Sequence, residues 1–555
     1  MDKVRFLVVL KYDLRCVCTL IWRNLWFALA APILLVGCSS LPTINPDMAL
    51  HSSHPVQLEG AQGPLSNKQS KAILARLKRG ADDTNIFDRH LLLQQEIVGV
   101  TPLVVGNKVE LLKDGPPTYT SMFAAIDAAK DHINLETFIL EPDEIGQRLI
   151  DALLFKQLAG VQVNVIYDSV GSLNTPKQFF KPLVDAGANV LEYNPINPLN
   201  ARKGWQFNSR DHRKLLVVDG KVAYVGGINI SSVYTNGSSG GSFSHGTSSR
   251  KTDAKNAEDD QPEVIPVEDK QVSGEKTLGE QASVAPAVKD TTVWRDTHLL
   301  IEGPVVTEFQ KLFMVTWQKQ KGIALSGHDY FPQLSNVGTE VVRAIGSSPD
   351  DPYSLIYVTL LSAINSAESQ VFITNAYFVP DKQLLAALDD AAARGVDVRL
   401  LLPSKTDSNM VFYASHSFYD ELLSKGVKIY ERQDAMLHAK TAMIDGVWST
   451  VGSSNLDWRS FLNNQETNAV VLGQGFGTQM RLMFEDDLKQ SKQINLEEWR
   501  KRSLVLRVKE ISALECATRN KVQIQDLLTP MNRYTNYLLY TPNKVHRKRS
   551  NSNLL

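Results

Sequence analysis

The chain is poor in cysteine, with only Cys16, Cys18, Cys38 and Cys516 among 555 residues. None has metal-ligand company, and no even framework survives once the N-terminus is set aside. That excludes a disulfide scaffold and a structural zinc site. Net charge is also scarce: 59 basic and 60 acidic residues leave −1. A globally basic nucleic-acid binder is thereby excluded, although a local basic cleft is not. A clean membrane-spanning run is missing as well. Leu25 to Gly37 has the length of a signal-peptide core, and the wider window Val17 to Val36 is interrupted by Arg23 and Asn24. Apolar residues, by contrast, make up 43% of the chain, enough for two domain-sized cores.

Lys3, Arg5, Lys11, Arg15 and Arg23 precede the apolar run, which ends Leu35-Val36-Gly37-Cys38-Ser39. This resembles a bacterial lipoprotein cleavage box. The resemblance implies a signal peptide over residues 1–37 and a lipid-modified Cys38 at the mature N-terminus. It implies a place in the bacterial cell envelope facing the periplasm, with Ser39 favouring the outer membrane over the inner one. Residues 38–98 read as a Ser-, Pro- and Gly-containing tether, with one short amphipathic helix over Lys68 to Lys78.

The most informative stretch is Asp211 to Ile230, D-H-R-K-L-L-V-V-D-G-K-V-A-Y-V-G-G-I-N-I. Leu215 to Val218 is a short apolar run rich in β-branched residues, which predicts a buried strand. Period-two alternation then puts His212 and Lys214 on one face, as an anion-binding, proton-transferring pair. The same polar set returns in Leu437 to Leu456 as His438, Lys440, Asp445, Gly452 and Asn455. The spacings agree: histidine to aspartate is 212 to 219 and 438 to 445, and histidine to asparagine is 212 to 229 and 438 to 455.

The surroundings repeat too. Helix, strand, helix and strand are predicted over Tyr119–Lys130, Ile133–Leu140, Ile145–Leu158 and Val161–Tyr167. They are predicted again over Ser354–Ala367, Val371–Val379, Lys382–Arg394 and Val396–Leu402, with Gly160 and Gly395 as the matching helix stops. Such alternation implies an α/β fold, and the distance between the copies suits two similar lobes rather than a solenoid. The lobes are assigned to residues 99–330 and 331–495. Within the first, residues 236–290 are low in apolar content and predict a disordered insertion. Residues 496–555 form a polar tail with a basic end at Lys544 to Arg549.

Two histidines from two lobes can divide the labour of phosphodiester chemistry: one attacks phosphorus, and the other protonates the leaving oxygen. Lys214, Lys440, Asn229 and Asn455 are candidates to hold the non-bridging oxygens, which removes the need for a metal. The glycines at 226, 227 and 452 permit close backbone approach. Asp296 and Glu466, each downstream of its own motif, are the acidic candidates to hold a histidine's second ring nitrogen. His132 and His298 read as structural, and Trp317 as core.

The duplicated H-x-K-x(4)-D, followed by a glycine-rich segment and asparagine, resembles the signature of the phospholipase D superfamily. Trp294-Arg295-Asp296-Thr297-His298, Ala376-Tyr377-Phe378-Val379-Pro380-Asp381 and Asn455-Leu456-Asp457-Trp458-Arg459-Ser460 resemble its bacterial cardiolipin synthase branch. The resemblance implies two lobes, each a mixed β-sheet flanked by helices, related by a pseudo-two-fold axis with the active site between them. It implies a phosphohistidine intermediate, His212 as nucleophile, His438 as acid then base, and Asp219 and Asp445 as supporting members of the catalytic set. It implies no cofactor. A phospholipid, phosphatidylglycerol, is then the expected substrate at a membrane, with no nucleic acid and no obligate protein partner. The expected reaction is phosphatidyl transfer giving cardiolipin. Hydrolysis to phosphatidic acid and a metal-independent phosphodiesterase or nuclease activity are the alternatives.

Overall fold

A computed structural model of the protein describes residues 56, 58–78, 86–91, 101–197, 206, 208–238 and 293–519. The signal segment, Cys38, much of the tether, the insertion beyond residue 238 and the basic end of the tail lie outside them. The short N-terminal helix is present over Asn67–Lys78.

In the first lobe the strands are β1 (Val104–Lys113), β2 (His132–Thr137), β3 (Gln162–Asp168), β4 (Asn189–Tyr193), β5 (Lys214–Val218), β6 (Val222–Gly226) and β7 (Thr297–Glu302). Their spatial order is β4-β3-β2-β5-β6-β7-β1, with β2, β3 and β4 parallel and the other neighbours antiparallel. The second lobe has β8 (Glu340–Ser347), β9 (Gln370–Asn375), β10 (Asp397–Pro403), β11 (Lys428–Arg432), β12 (Lys440–Ile444), β13 (Trp448–Gly452) and β14 (Asn464–Leu472). Their order, β11-β10-β9-β12-β13-β14-β8, reproduces that of the first lobe with the same directions. β1 and β8, equivalent edges, pair antiparallel and join the halves into one sheet. Joining like edges in this way generates the pseudo-two-fold relation, and it satisfies two strand edges that would otherwise be open.

The apolar run of β5 shows why the sheet is buried on both faces. Leu215 and Val217 point into a core shared by the two lobes, whereas Leu216 and Val218 point into a core private to the first. Helices α1 (Gly115–Ala128) and α2 (Glu144–Leu158) cover that private core; α4 (Leu355–Asn365) and α5 (Lys382–Ala393) cover its counterpart in the second lobe. The shared core is filled by α3 (Val306–Lys319) and α7 (Gln474–Leu488), and Trp317 lies within it. Helices α2 and α5 begin alike, with Asp143 and Asp381 accepting from free backbone N–H groups. They also end alike, before Gly160 and Gly395, both at φ 90°. The polar stretch after Gln493 is not bare tail at its start. It forms a short helix over Leu496–Arg500 and then α8 (Leu504–Arg519), which packs on α6 (Asn409–His416).

Candidate active site

Each histidine motif enters its lobe through a two-residue strand that pairs with the opposite lobe. Arg210-Asp211 runs parallel to Asn464-Gln465, and the His212 N–H donates to the Gln465 carbonyl at 2.9 Å. Met436-Leu437 runs parallel to Trp294-Arg295, and the His438 N–H donates to the Arg295 carbonyl at 2.8 Å. The residue following each pair of partner residues, Asn464-Gln465 within β14 and Trp294-Arg295, is an acid. Glu466 therefore sits beside His212, and Asp296 beside His438.

The acids are thus exchanged with respect to chain order. His212 Nδ1 lies 3.1 and 3.0 Å from the two carboxylate oxygens of Glu466, in the second lobe. His438 Nδ1 lies 2.7 Å from Asp296 Oδ2, in the first. With both Nδ1 atoms held by carboxylates, each Nε2 is left for the cleft. Gly227 is required for this: a Cβ there would lie 2.2 Å from Asp296 Oδ1. At the equivalent position the second lobe has Ser453, whose hydroxyl donates to Glu466 at 2.5 Å.

Lys214 donates to the His212 carbonyl at 2.6 Å, and Lys440 donates to that of His438. Both ammonium groups are buried. Burial lowers Lys214 to about 7 and Lys440 to about 8, with the carboxylates partly opposing it. Burial also lowers His212 to about 4, aided by Lys214 and Lys440 and opposed by Glu466. His438 is lowered by burial and by both lysines, against Asp296. That each histidine feels the other lobe's lysine shows the four groups converging. Burial alone would raise the two acids, but His212 and Lys214 hold Glu466 down to about 2, and His438 and Lys440 hold Asp296 below its ordinary range. Two carboxylates held toward their ionised forms thus face two lysines and two imidazoles whose burial favours their neutral forms.

The other candidates divide. Asn455 is buried, and among the described residues its Oδ1 has no hydrogen-bond partner. That oxygen can accept only from a donor such as a substrate hydroxyl, and toward a phosphate oxygen it is the Nδ2 amide that donates. Asn229 is already engaged: its Oδ1 accepts from the Ile139 N–H, and its amide donates to the Tyr234 hydroxyl. Tyr234 lies in turn 3.2 Å from His438 Nδ1, so Asn229 reaches the centre through a residue that no motif marked. Phe138 was likewise unmarked, yet it lies edge-on to His212 at 5.0 Å and under Lys214 at 5.0 Å.

Asp219 and Asp445 stand away from the reacting centre, each about 16 Å down its strand at roughly 3.3 Å per residue. The Asp219 carboxylate accepts from the N–H groups of Lys130, Asp131 and His132; Asp445 accepts from those of Glu368, Ser369 and Gln370. They hold the helix-to-strand turn rather than the reacting atoms, in the supporting place expected of them. His132 bonds Asp131, and His298 is buried, lining the same small cavity as Lys214, with no partner for Nδ1 among the described residues. Phe378 is core, whereas half-buried Tyr377 donates to Asp407 at 2.5 Å.

The chain resembles known proteins over both lobes. The family profile described as "Cardiolipin synthase, PLD-like domain" matches residues 122–238 and 360–488, one match in each lobe. Cardiolipin synthase of Geobacillus kaustophilus (strain HTA426) is 33% identical over 76% of this chain and 74% of its own length. Cardiolipin synthase A of Pseudomonas putida is 33% identical over 72% of each chain. Among solved structures, phosphatidylserine synthase of Haemophilus influenzae Rd KW20 aligns with a TM-score of 0.49 at 12% identity, over 75% of this chain and 95% of that one.

Proposed function

The chain belongs to the cardiolipin synthase branch of the phospholipase D superfamily, and we propose that it transfers a phosphatidyl group between two phosphatidylglycerol molecules. The observation that carries this reading is the crossed pairing of His212 with Glu466 and His438 with Asp296, which makes one two-histidine centre from two lobes. Phosphate binds against Lys214, Lys440 and Asn455. His212 Nε2 attacks phosphorus, the bond to the glycerol oxygen breaks, and that oxygen takes a proton from His438. Substrate charge supplies the condition for this, since an anion beside His438 raises its proton affinity. Neutral His438 then removes the proton from a hydroxyl of the second phosphatidylglycerol. The resulting oxygen attacks phosphorus, His212 departs, and the products are cardiolipin and glycerol.

The test is product analysis of labelled phosphatidylglycerol in the presence of EDTA. Cardiolipin with glycerol is expected. Phosphatidic acid in their place makes the enzyme a hydrolase, and metal-free DNA cleavage without any lipid product overturns the phospholipid reading. The proposal includes a location: the Leu35-Val36-Gly37-Cys38-Ser39 box supports an envelope lipoprotein facing the periplasm, with the outer membrane favoured. Mass analysis of the mature N-terminus is expected to find a diacylglyceryl group on Cys38; an unmodified or uncleaved N-terminus rules that anchor out. A membrane-bound substrate and the absence of an obligate protein partner belong to the same proposal.

A further inference from the structure

Helix α8 is apolar on two opposite sides, and among the described residues only one of them is covered. Glu510, Ala513 and Ala517 face the protein, where α8 packs on α6 and its neighbours. Leu504, Val505, Val508 and Ile511 point away, at 76, 66, 61 and 60% exposure. At 100° per residue, Leu504, Val508 and Ile511 form one stripe, with Val505 on its flank, and Glu515 ends the stripe one turn later. Four large aliphatic side chains side by side in water are not the scattered exposure expected of any protein surface.

The chemistry beside the stripe identifies its occupant. Of the five basic residues between Arg500 and Glu510, Arg500 pairs with Asp420 and Arg502 with Glu510, which leaves Lys501, Arg507 and Lys509. Lys501 is exposed at the N-terminal end of the stripe, half-buried Arg507 lies on one side and donates to the Arg500 carbonyl, and exposed Lys509 lies on the other beside the Tyr413 ring. An aliphatic stripe bracketed by cations is the pattern of a helix lying in a membrane interface: apolar groups enter the acyl boundary while the cations meet phosphate head groups. The position in the fold is also apt. α6, the platform for α8, begins two residues after Asp407, which is hydrogen-bonded to Tyr377 just beyond β9, the strand paired with catalytic Lys440.

We infer that the exposed face of α8 docks the enzyme on an anionic phospholipid bilayer and so brings the second-lobe wall of the active site to its substrate. This rests on the reading of the substrate as a membrane lipid. It adds an element by which the catalytic domain itself grips the surface, separately from any N-terminal anchor.

The full chain is bound to vesicles of phosphatidylglycerol or of phosphatidylcholine, and hydrogen exchange is followed peptide by peptide. Slowed exchange over residues 504–512 is expected on phosphatidylglycerol and not on phosphatidylcholine. A full-length variant with Leu504→Ser, Val505→Ser, Val508→Ser and Ile511→Ser is expected to lose tenfold or more activity on phosphatidylglycerol vesicles. It is expected to retain activity on short-chain phosphatidylglycerol dispersed as monomers, which also shows that it folds. Equal activity of variant and parent on both substrates overturns the docking. So does protection that rises with protein concentration without lipid, which marks a second copy, or protection present at all concentrations without lipid, which marks a segment of the same chain. If the parent turns over neither lipid, the functional proposal fails, while lipid-dependent protection still decides the docking.

Discussion

The two lobes are the same at the reacting atoms and differ one layer out. His212 is held by both oxygens of Glu466, an acid that also accepts from Ser453 and Asn464. His438 shares its Nδ1 between Asp296 and the Tyr234 hydroxyl and lies against the Trp294 ring. On either side of His212 stand Asp211 and Arg213; His438 has Leu437 and Ala439 in their places. Burial, with Glu136 beside it, drives Asp211 well above the carboxylate range, a pressure on the cluster behind His212 that has no counterpart at Leu437. At the mouth the asymmetry reverses. Tyr377 and Asp457 line the second lobe where register places Ile139 and Ser231 in the first, and Asp407 and Asp457 both support the charge of Lys440. Negative charge on the second-lobe side favours keeping a proton there. Duplication therefore kept the same groups at the reacting atoms of both lobes, and divergence gave the two imidazoles different surroundings, on which the proposed division into attacking and proton-carrying roles rests.

Removing either imidazole gives the largest effect. His212→Ala and His438→Ala are each expected to lower turnover by roughly 10⁶-fold, because groups acting as a unit fail together. The variants should part in their covalent chemistry. On a phosphatidyl ester whose leaving group departs without a proton, such as p-nitrophenolate, His438→Ala is expected to accumulate phosphatidyl label on the peptide containing His212, detected after alkaline denaturation, and His212→Ala is expected to accumulate none. Label on His438 in the second variant would reverse the division of roles.

The crossed acids come next. Glu466→Gln and Asp296→Asn keep shape and remove the charge that fixes each imidazole, at an expected cost of up to about 10⁴-fold in turnover. The pH dependence of kcat/KM shows which lobe each acid serves. In the parent, kcat/KM should fall below about 4 as His212 protonates, and fall again above about 7 and above about 8 as Lys214 and then Lys440 lose their protons. Glu466 is the leading charge that keeps Lys214 protonated, and Asp296 is the leading one for Lys440. Glu466→Gln should therefore move the first alkaline step to lower pH, and Asp296→Asn the second. If each substitution moves only the step of its own lobe's lysine, the exchange between lobes is broken.

Much of this was legible in the sequence, because a repeated spacing needs no structure to be noticed. The duplicated His-Lys-Asp-Asn set marked β5 and β12, and Gly160 and Gly395 marked matching helix ends. The crossing was not legible. Asp296 and Glu466 each follow their own motif along the chain, and only the parallel pairing of Arg210-Asp211 with Asn464-Gln465, and of Trp294-Arg295 with Met436-Leu437, carries them to the opposite histidine. Two-residue strands carry no periodicity. Tyr234 was invisible for a similar reason, since nothing local distinguishes a tyrosine five residues beyond Asn229 from a core one. Helix α1 begins at Gly115, before the predicted Tyr119, because prolines are tolerated in a first turn that needs no internal N–H donors. The start of the tail was read as solvated because α8 shows no single apolar face.

The smallest expected effects concern the paired aspartates, where stability and chemistry separate. Asp219 and Asp445 both occupy the left-handed region, φ 52° and 53°, followed by Gly220 and Gly446 at 61° and 67°, so each pair closes a hairpin turn of the primed type. Asparagine tolerates that backbone and keeps one acceptor oxygen, so Asp→Asn isolates the charge. Asp445 has in addition His90 at 2.9 Å, from the segment preceding the first lobe, and its carboxyl is lowered to about 2 by His90 and backbone N–H groups against the effect of burial. A carboxyl depressed in the fold contributes stability that is fully present above its unfolded value and is lost as pH falls through the folded one. Asp445→Asn should therefore cost on the order of 2 kcal/mol at neutral pH, with the difference from the parent shrinking between about pH 4 and pH 2. Asp219→Asn, with no histidine partner, should cost less. Denaturant unfolding across that range measures both, and turnover of the folded variants at neutral pH should stay within about threefold of the parent. A loss of turnover without a loss of stability at either position would return that aspartate to the chemistry of the site.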